Sequence, residues 1–520
     1  LAPSELDVEM KLAVVIILIV LNKAFALNIL AIYPYQGKSH FLVFRVFLRE
    51  LVDRGHNVTV ISHFPDEVLY KNSYHINLGG GNIIFEGDTQ PPEPASWTKI
   101  LATALYLANS GRDDCEVLMA NKEVQNLIRS QTKFDVAVVE QFTSDCALAV
   151  AYKLGAPVVG TTSHVLMPFH FARFGIPNNP AYVPFHFLGG GTHPTLFQRI
   201  ERLLFDTLFN VLYSVGVQRH NQNVLTKYFD DIPPLEELGR EIKFLLLYHS
   251  IALTGSKLLP ANVIEIGGYH VTQPNPLTGE LKKFVDEADH GVIYISFGSV
   301  LKASSLPPET INAILEAVKE FPYRVIWKFE DNSFAIDKHK IYTNKWLPQV
   351  DILGHVKTVA FISHAGMGGT TEAIHFGVPV LAMPVLGDQP SNAAAIEETG
   401  LGIQLSWTDL TKDSLVASLK VILDPGFREQ AARLSRAWHD RPLPPLATAV
   451  FWTEFAARHP KLRVRTAAAD TPFYQRAHLD IAALFLGIIL AILYIANLCL
   501  KRKNPWIVAT KKPIRRKKRD

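Results

Sequence analysis

Residues 346–402 constrain the fold of this 520-residue chain more than any other stretch. A short apolar run at 359–363 leads into His364-Ala365-Gly366-Met367-Gly368-Gly369, and a helix-forming segment follows to Phe376. Gly377 stands where a helix ends in a left-handed residue, and Pro379 prevents continuation. Residues 380–385 are again continuously apolar, as a strand buried on both faces must be. The pattern predicts a β–loop–α–β unit of a parallel sheet. Glycines at 366, 368 and 369 let the backbone come close to a ligand, and a helix start offers N–H groups to an anion. His364, at the strand tip, adds a donor in the place where open α/β sheets collect ligands. The unit reads as a phosphate site.

Trp346-x-x-Gln349, His364-x-Gly366, Glu372-Ala373, Gly377-x-Pro379 and Asp388-Gln389-Pro390-x-Asn392 together resemble the signature of the UDP-glycosyltransferases, in particular the membrane-bound insect branch. The resemblance implies an α/β fold of two facing doubly wound, Rossmann-like domains, the GT-B architecture. It implies that Trp346 stacks on uracil and Gln349 bonds the nucleoside. His364 and the loop of Gly366, Gly368, Gly369 and Thr370 would hold the diphosphate, Glu372 would accept from ribose hydroxyls, and Asp388 and Gln389 would bond the transferred sugar. Residues 292–297 read as the first strand of that second domain, and the Gly298-Ser299 turn after it also faces the phosphates. The chain departs from the family where relatives carry Asn and Ser and this one has Gly368 and Gly369, and where Ala365 replaces a glycine. Two side-chain donors to phosphate are thereby lost, leaving backbone N–H groups and Thr370.

Nearer the N-terminus, residues 28–33 read as a strand, 41–53 as a helix and 57–62 as a second strand, a βαβ opening. His40 falls at the helix start beside the strand tip. An acceptor hydroxyl needs its proton removed before it can attack, and imidazole has the pKa for that near neutrality. The run Gly37-Lys38-Ser39-His40 is also similar to the family's N-terminal pattern, which implies that His40 is the catalytic base. A carboxylate should orient it, as in hydrolase triads. After the strand at 136–139 the chain offers Glu140 and Asp145. The family places an aspartate in this loop; counting from Asp135 or from Cys146 selects different residues, and the expectation here is Asp145, with Glu140 as the alternative.

The two ends carry the membrane chemistry. Met10-Lys11, an apolar run from 12 to 21 and Ala24-Phe25-Ala26 form a secretory signal peptide, with Met10 as the expected initiator. Residues 481–500 carry no charge and are long enough to cross a bilayer. Ten basic residues lie in the last twenty, so the tail is expected in the cytosol and the rest in the lumen, a single-pass type I protein. Lys517 and Lys518 have the spacing of a retrieval signal to the endoplasmic reticulum. Removing this tail from the formal charge of +3 leaves an acidic body with no nucleic-acid footprint. Of three cysteines, Cys115 and Cys146 can pair in an oxidising lumen, and Cys499 lies in the span. No metal-ligand spacing occurs, so neither a metal nor a cofactor is expected.

The expected organisation is a leader and signal peptide at 1–26, an acceptor-binding domain at 27–275, a UDP-sugar-binding domain with returning helices at 276–465, a span at 481–500 and a basic tail at 501–520. The resemblance implies that the aromatic stretch 164–197 lines the acceptor pocket; a plain hydrophobic core explains the same residues equally well. The expected function is inverting transfer of a hexose, glucose in insect relatives, from a UDP-sugar to a hydroxyl of a small lipophilic acceptor. A non-catalytic UDP-sugar- or lipophile-binding protein of the same fold is the rival, favoured by Gly368 and Gly369. The partners are donor, acceptor and membrane; a homo-oligomer is compatible with the sequence.

Overall fold

A computed structural model describes residues 26–65, 72–79, 96–298, 301–331 and 337–503. The signal peptide, Ser299 and the basic tail beyond Lys503 lie outside the described residues. Among those described, one sheet runs in the order β3-β2-β1-β4-β5-β6-β7 and a second in the order β10-β9-β8-β11-β12-β13. The first uses β1 Asn28–Tyr33, β2 Asn57–Ser62, β3 Ser73–Asn77, β4 Val136–Glu140, β5 Val158–Thr161, β6 Phe244–Leu247 and β7 Val263–Glu265. The second uses β8 Val292–Ser296, β9 Arg324–Lys328, β10 Ile341–Asn344, β11 Thr358–Ser363, β12 Val380–Ala382 and β13 Gly402–Gln404. Every pairing is parallel. Both orders reverse once, between β1 and β4 and between β8 and β11, and each reversal opens a crevice at the strand tips.

The central strands are legible because they are buried on both faces, whereas the edge strands β3 and β10 are partly exposed. Alternation sorts their side chains: Ile29, Ala31, Tyr33, Val136 and Val138 pack with Phe41, Phe44 and Phe47 of the helix Lys38–Asp53, whereas Leu30, Ile32, Ala137 and Val139 face Cys115 and Cys146. The helix Lys38–Asp53 starts three residues earlier than expected, so His40 occupies its first turn. The helices Pro425–His439 and Pro445–Arg458 are separated by a short turn at 440–444. The second of them returns to the first domain, where Trp452 and Phe455 pack on Phe244 and Glu454 reaches His56 at 3.2 Å. Beyond Arg465 the chain forms a separate unit whose helix Leu479–Lys503 is apolar and long enough to cross a membrane.

Cys115, in the helix Trp97–Ala120, is disulfide-bonded to Cys146 at the start of the helix Cys146–Lys153, with their Cα atoms 5.4 Å apart. The bond closes a loop that contains β4 and Glu140. Restraining a loop of that length in the unfolded chain is worth about 3–4 kcal/mol. The double variant Cys115→Ala/Cys146→Ala of the detergent-solubilised protein should therefore melt several degrees lower, followed by tryptophan fluorescence. An unchanged midpoint would show that the bond restrains nothing.

Candidate active site

The loop after β1 and the tip of β4 meet at the first crevice. His40 Nδ1 lies 2.8 Å from Glu140 Oε1, with the carboxylate 3% and the imidazole 19% exposed. This corrects the choice of Asp145. Glu140 is the last residue of β4, and alternation puts it on the face of Val136 and Val138, which is the face covered by the helix that carries His40. Asp145 begins the helix on the opposite face, and its carboxylate is consumed there. Arg173 clamps it through both Nη atoms at 2.9 and 2.6 Å, and Tyr213 and Gln218 donate to the same group. The guanidinium holds the Asp145 carboxyl below its ordinary value despite burial. Asp145 anchors a buried ion pair.

Burial opposes charge on both members of the His40–Glu140 pair, raising the carboxyl and lowering the imidazole. The arrangement able to accept a proton has an ionised Glu140, a proton on Nδ1 and a bare Nε2. Tyr35 and Phe142 rings stand 4.7 Å from that of His40, and His164 stands at 5.3 Å with His186 a further 5.1 Å on. His164 and His186 were not anticipated as neighbours of His40; the position of His164 just beyond the tip of β5 was the available signal. Phe185 and Phe187, from the aromatic stretch, pack with Phe142, Phe205 and Phe209, whereas Phe174 belongs to the deeper core. An open pocket continues this wall and is lined by Phe171, Phe185, His186 and Lys257 from the first domain and Asn392 and Glu398 from the second. Glu398 accepts from the Thr192 hydroxyl at 3.0 Å, joining the domains at the pocket rim.

The second crevice assembles most of the expected donor residues. His364 sits at the tip of β11, and a Cβ at Gly298 or Gly366 would strike its ring at 2.6 or 2.5 Å, so these two glycines are required for close packing. Burial pulls the His364 imidazole down to about 4, and its Nδ1 is buried without a hydrogen-bond partner among the described residues. Gly366 caps the helix Met367–Phe376, leaving the first-turn N–H groups of Gly368 and Gly369 outside the helical ladder. Thr370 behaves differently from expectation. It is fully buried, its N–H bonds the Gly366 carbonyl at 3.0 Å, and its hydroxyl is buried without a hydrogen-bond partner among the described residues. Ala365 adopts a left-handed φ of 60°.

Trp346 is 67% exposed, leaving its ring face free for stacking. Gln349 donates to Glu372 Oε2 at 2.6 Å and accepts from Tyr294 at 3.2 Å. Asp388 and Gln389 begin the helix Gln389–Thr399. Gln389 Oε1 accepts from the N–H groups of Val385 and Leu386, so only its amide nitrogen remains for a ligand. Asp388 is held by Asn392 at 2.8 Å, and its charge is felt by His40 across the cleft. The arrangement places a candidate base on one wall and hydroxyl-binding groups on the other.

Comparison with known proteins agrees with this geometry. Residues 84–513 match the family model described as UDP-glucoronosyl and UDP-glucosyl transferase. UDP-glucosyltransferase 2 of Dactylopius coccus is 33% identical over 91% of this chain and 92% of that protein. UDP-glucuronosyltransferase 1A1 of Homo sapiens is 29% identical over 90% and 89%. The solved structure of Phytolacca americana UGT2 with UDP-2fluoro-glucose and pterostilbene superposes with a TM-score of 0.55 at 17% identity, covering 83% of this chain and all of that one, which establishes the shared fold. The chain belongs to the UDP-glycosyltransferase family.

Proposed function

We propose that the chain transfers glucose from UDP-glucose to a hydroxyl of a small lipophilic acceptor, with inversion, and that His40 is the general base. The observation that carries this reading is the His40–Glu140 pair, set 2.8 Å apart beneath an aromatic pocket and electrostatically coupled to Asp388 on the opposite wall. Glucose as the sugar is supported by the name of the Dactylopius relative, and the acceptor class by the aromatic lining.

In this mechanism Glu140 accepts from His40 Nδ1–H, and the bare Nε2 takes the acceptor's hydroxyl proton. The oxygen attacks the anomeric carbon as the bond to UDP breaks, and UDP leaves with the electron pair. Glu140 and Asp388 then stabilise the imidazolium, as two carboxylates near one cation must. His364 and the N–H groups of Gly368 and Gly369 meet the charge that develops on the diphosphate. Trp346 stacks on uracil, Glu372 receives the ribose hydroxyls, and Asp388 with the Gln389 amide nitrogen orients the sugar. Ser299, in the turn after β8, would add to the phosphate site. Two doubly wound domains, an apolar C-terminal helix and a disulfide suit a luminal enzyme anchored in the endoplasmic reticulum membrane.

The base must be unprotonated, so activity should rise with pH as the buried pair loses its proton. The acid limb of kcat/KM is expected above about 6.5, the ordinary value of histidine, because burial resists the net negative charge of the competent pair. Glu140→Gln should lower kcat by about a hundredfold or more and move that limb below the ordinary value, since the buried imidazole then titrates alone. Asp145→Asn should act on folding instead, because it removes the charge from the bidentate partner of the buried Arg173 guanidinium and leaves Glu236, at 2.8 Å, as its remaining carboxylate; weakening a buried pair in this way costs up to about 3–5 kcal/mol. UDP release by microsomes against a phenol panel, with thermal melting in parallel, separates the two. A His40→Ala enzyme that retains acceptor-dependent release would remove His40 from its role.

A second expectation concerns the lost donors. A Cβ at Gly368 would meet nothing within 4 Å, so a larger residue fits. Gly368→Asn should lower the KM for UDP-glucose by about three- to tenfold, the worth of one hydrogen bond to a charged group offset by side-chain ordering. An unchanged KM would mean that the backbone alone satisfies the phosphates.

A further inference from the structure

Glu372 is gripped from two domains. On its own side Gln349 Nε2 donates to Oε2 at 2.6 Å. From the first domain, His270, in the loop after β7, brings Nε2 to 3.5 Å from Oε1, with both side chains nearly buried at 11% and 10% exposure. His270 is itself held by Tyr248, whose Oη lies 2.6 Å from Nδ1 and 3.0 Å from Thr371 Oγ1.

Counting protons fixes the direction of this chain. Thr371 gives its single hydroxyl proton to the Met367 carbonyl, which can only accept. Tyr248 must therefore donate to Thr371, and its oxygen must accept from His270, so His270 Nδ1 carries a proton. A bare Nε2 would then set a lone pair against the Glu372 carboxylate, whereas a proton there makes an ion pair. The geometry sets the ring between two partners, Tyr248 Oη at Nδ1 and the Glu372 carboxylate at Nε2. A carboxylate oxygen has two lone pairs, so Oε1 and Oε2 can each take one protein partner and still accept one ribose hydroxyl.

We infer that His270, oriented by Tyr248, is a positioning residue for the nucleotide ribose: it fixes the Glu372 carboxylate from the acceptor-binding domain, so that the donor site is complete only when the two domains are together. The inference rests on the reading of Glu372 as the ribose acceptor. It goes beyond that reading by making ribose recognition a shared property of both domains.

The test compares UDP-glucose with its 2′-deoxy and 3′-deoxyribose analogues in microsomes carrying the full chain. Wild type should discriminate by about tenfold or more in KM, the worth of a hydrogen bond to a charged group. In His270→Phe the discrimination should shrink to within about threefold while the acceptor KM is unchanged. His270→Gln, which keeps a donor near Oε1, should restore most of it, and Tyr248→Phe should fall between. A merely structural role would lower kcat or protein yield without altering the ratio between donors. Full discrimination in His270→Phe overturns the inference alone. If Glu372→Ala leaves donor KM and discrimination at wild-type values, the ribose reading falls and the inference with it.

Discussion

Every functional side chain here depends on one topological constraint. In a parallel sheet whose strand order reverses once, the connections on either side of the reversal leave to opposite faces and cannot cover the strand tips between them. The chain does this twice, between β1 and β4 and between β8 and β11. His40 and Glu140 occupy the first uncovered tip, and Gly298 and His364 occupy the second. The helix starts that follow, Lys38–Asp53 and Met367–Phe376, bring their first turns to the same rims. Catalytic geometry then needs only that the two rims face each other. The hydrogen bonds from Thr192 to Glu398 and between Tyr248 and Thr371 join the two domains along them.

The parts of this plan that the sequence displayed were those written in local pattern. Parallel strands buried on both faces are continuous apolar runs, so 28–33, 57–62, 292–297 and 359–363 could be read directly. Gly377 and Pro379 bound one helix, and Gly377 does adopt a left-handed φ of 68°. The helix Trp97–Ala120 was invisible because its buried set mixes Ala104, Ala108, Ser110, Gly111 and Asp114 with larger groups, which blurs the apolar stripe. The cluster of Tyr35, Phe142, His164 and His186 was equally hidden, since it gathers four separate loops.

The error at Asp145 is instructive because the sequence held enough to avoid it. Extending the strand by one residue, to Glu140, and counting by twos from Val136 assigns Glu140 to the face of the helix Lys38–Asp53. Asp145 lies in the loop that crosses to the other face, where Cys146 must reach Cys115. A carboxylate at a helix start has the look of a functional group, yet Arg173, Tyr213 and Gln218 absorb it completely. Position relative to the sheet face discriminates between the two acids better than distance along the chain.

The same logic explains what glycines at 368 and 369 leave to the helix start. A first-turn N–H of a helix is a donor whatever its side chain, and removing the side chain lets the ligand approach it more closely. The loss falls on the additional side-chain contacts, with no change to the dipole or to His364. What the glycines cannot supply is rigidity, and the neighbouring residues do: Ala365 is held at positive φ by Asn392, which donates to its carbonyl at 3.0 Å and to Asp388 at 2.8 Å. One asparagine thus ties the 364–369 loop to the Asp388 carboxylate. The loop keeps its shape through that buried amide, and its first-turn N–H groups stay outside the helical ladder whatever the side chains at 368 and 369.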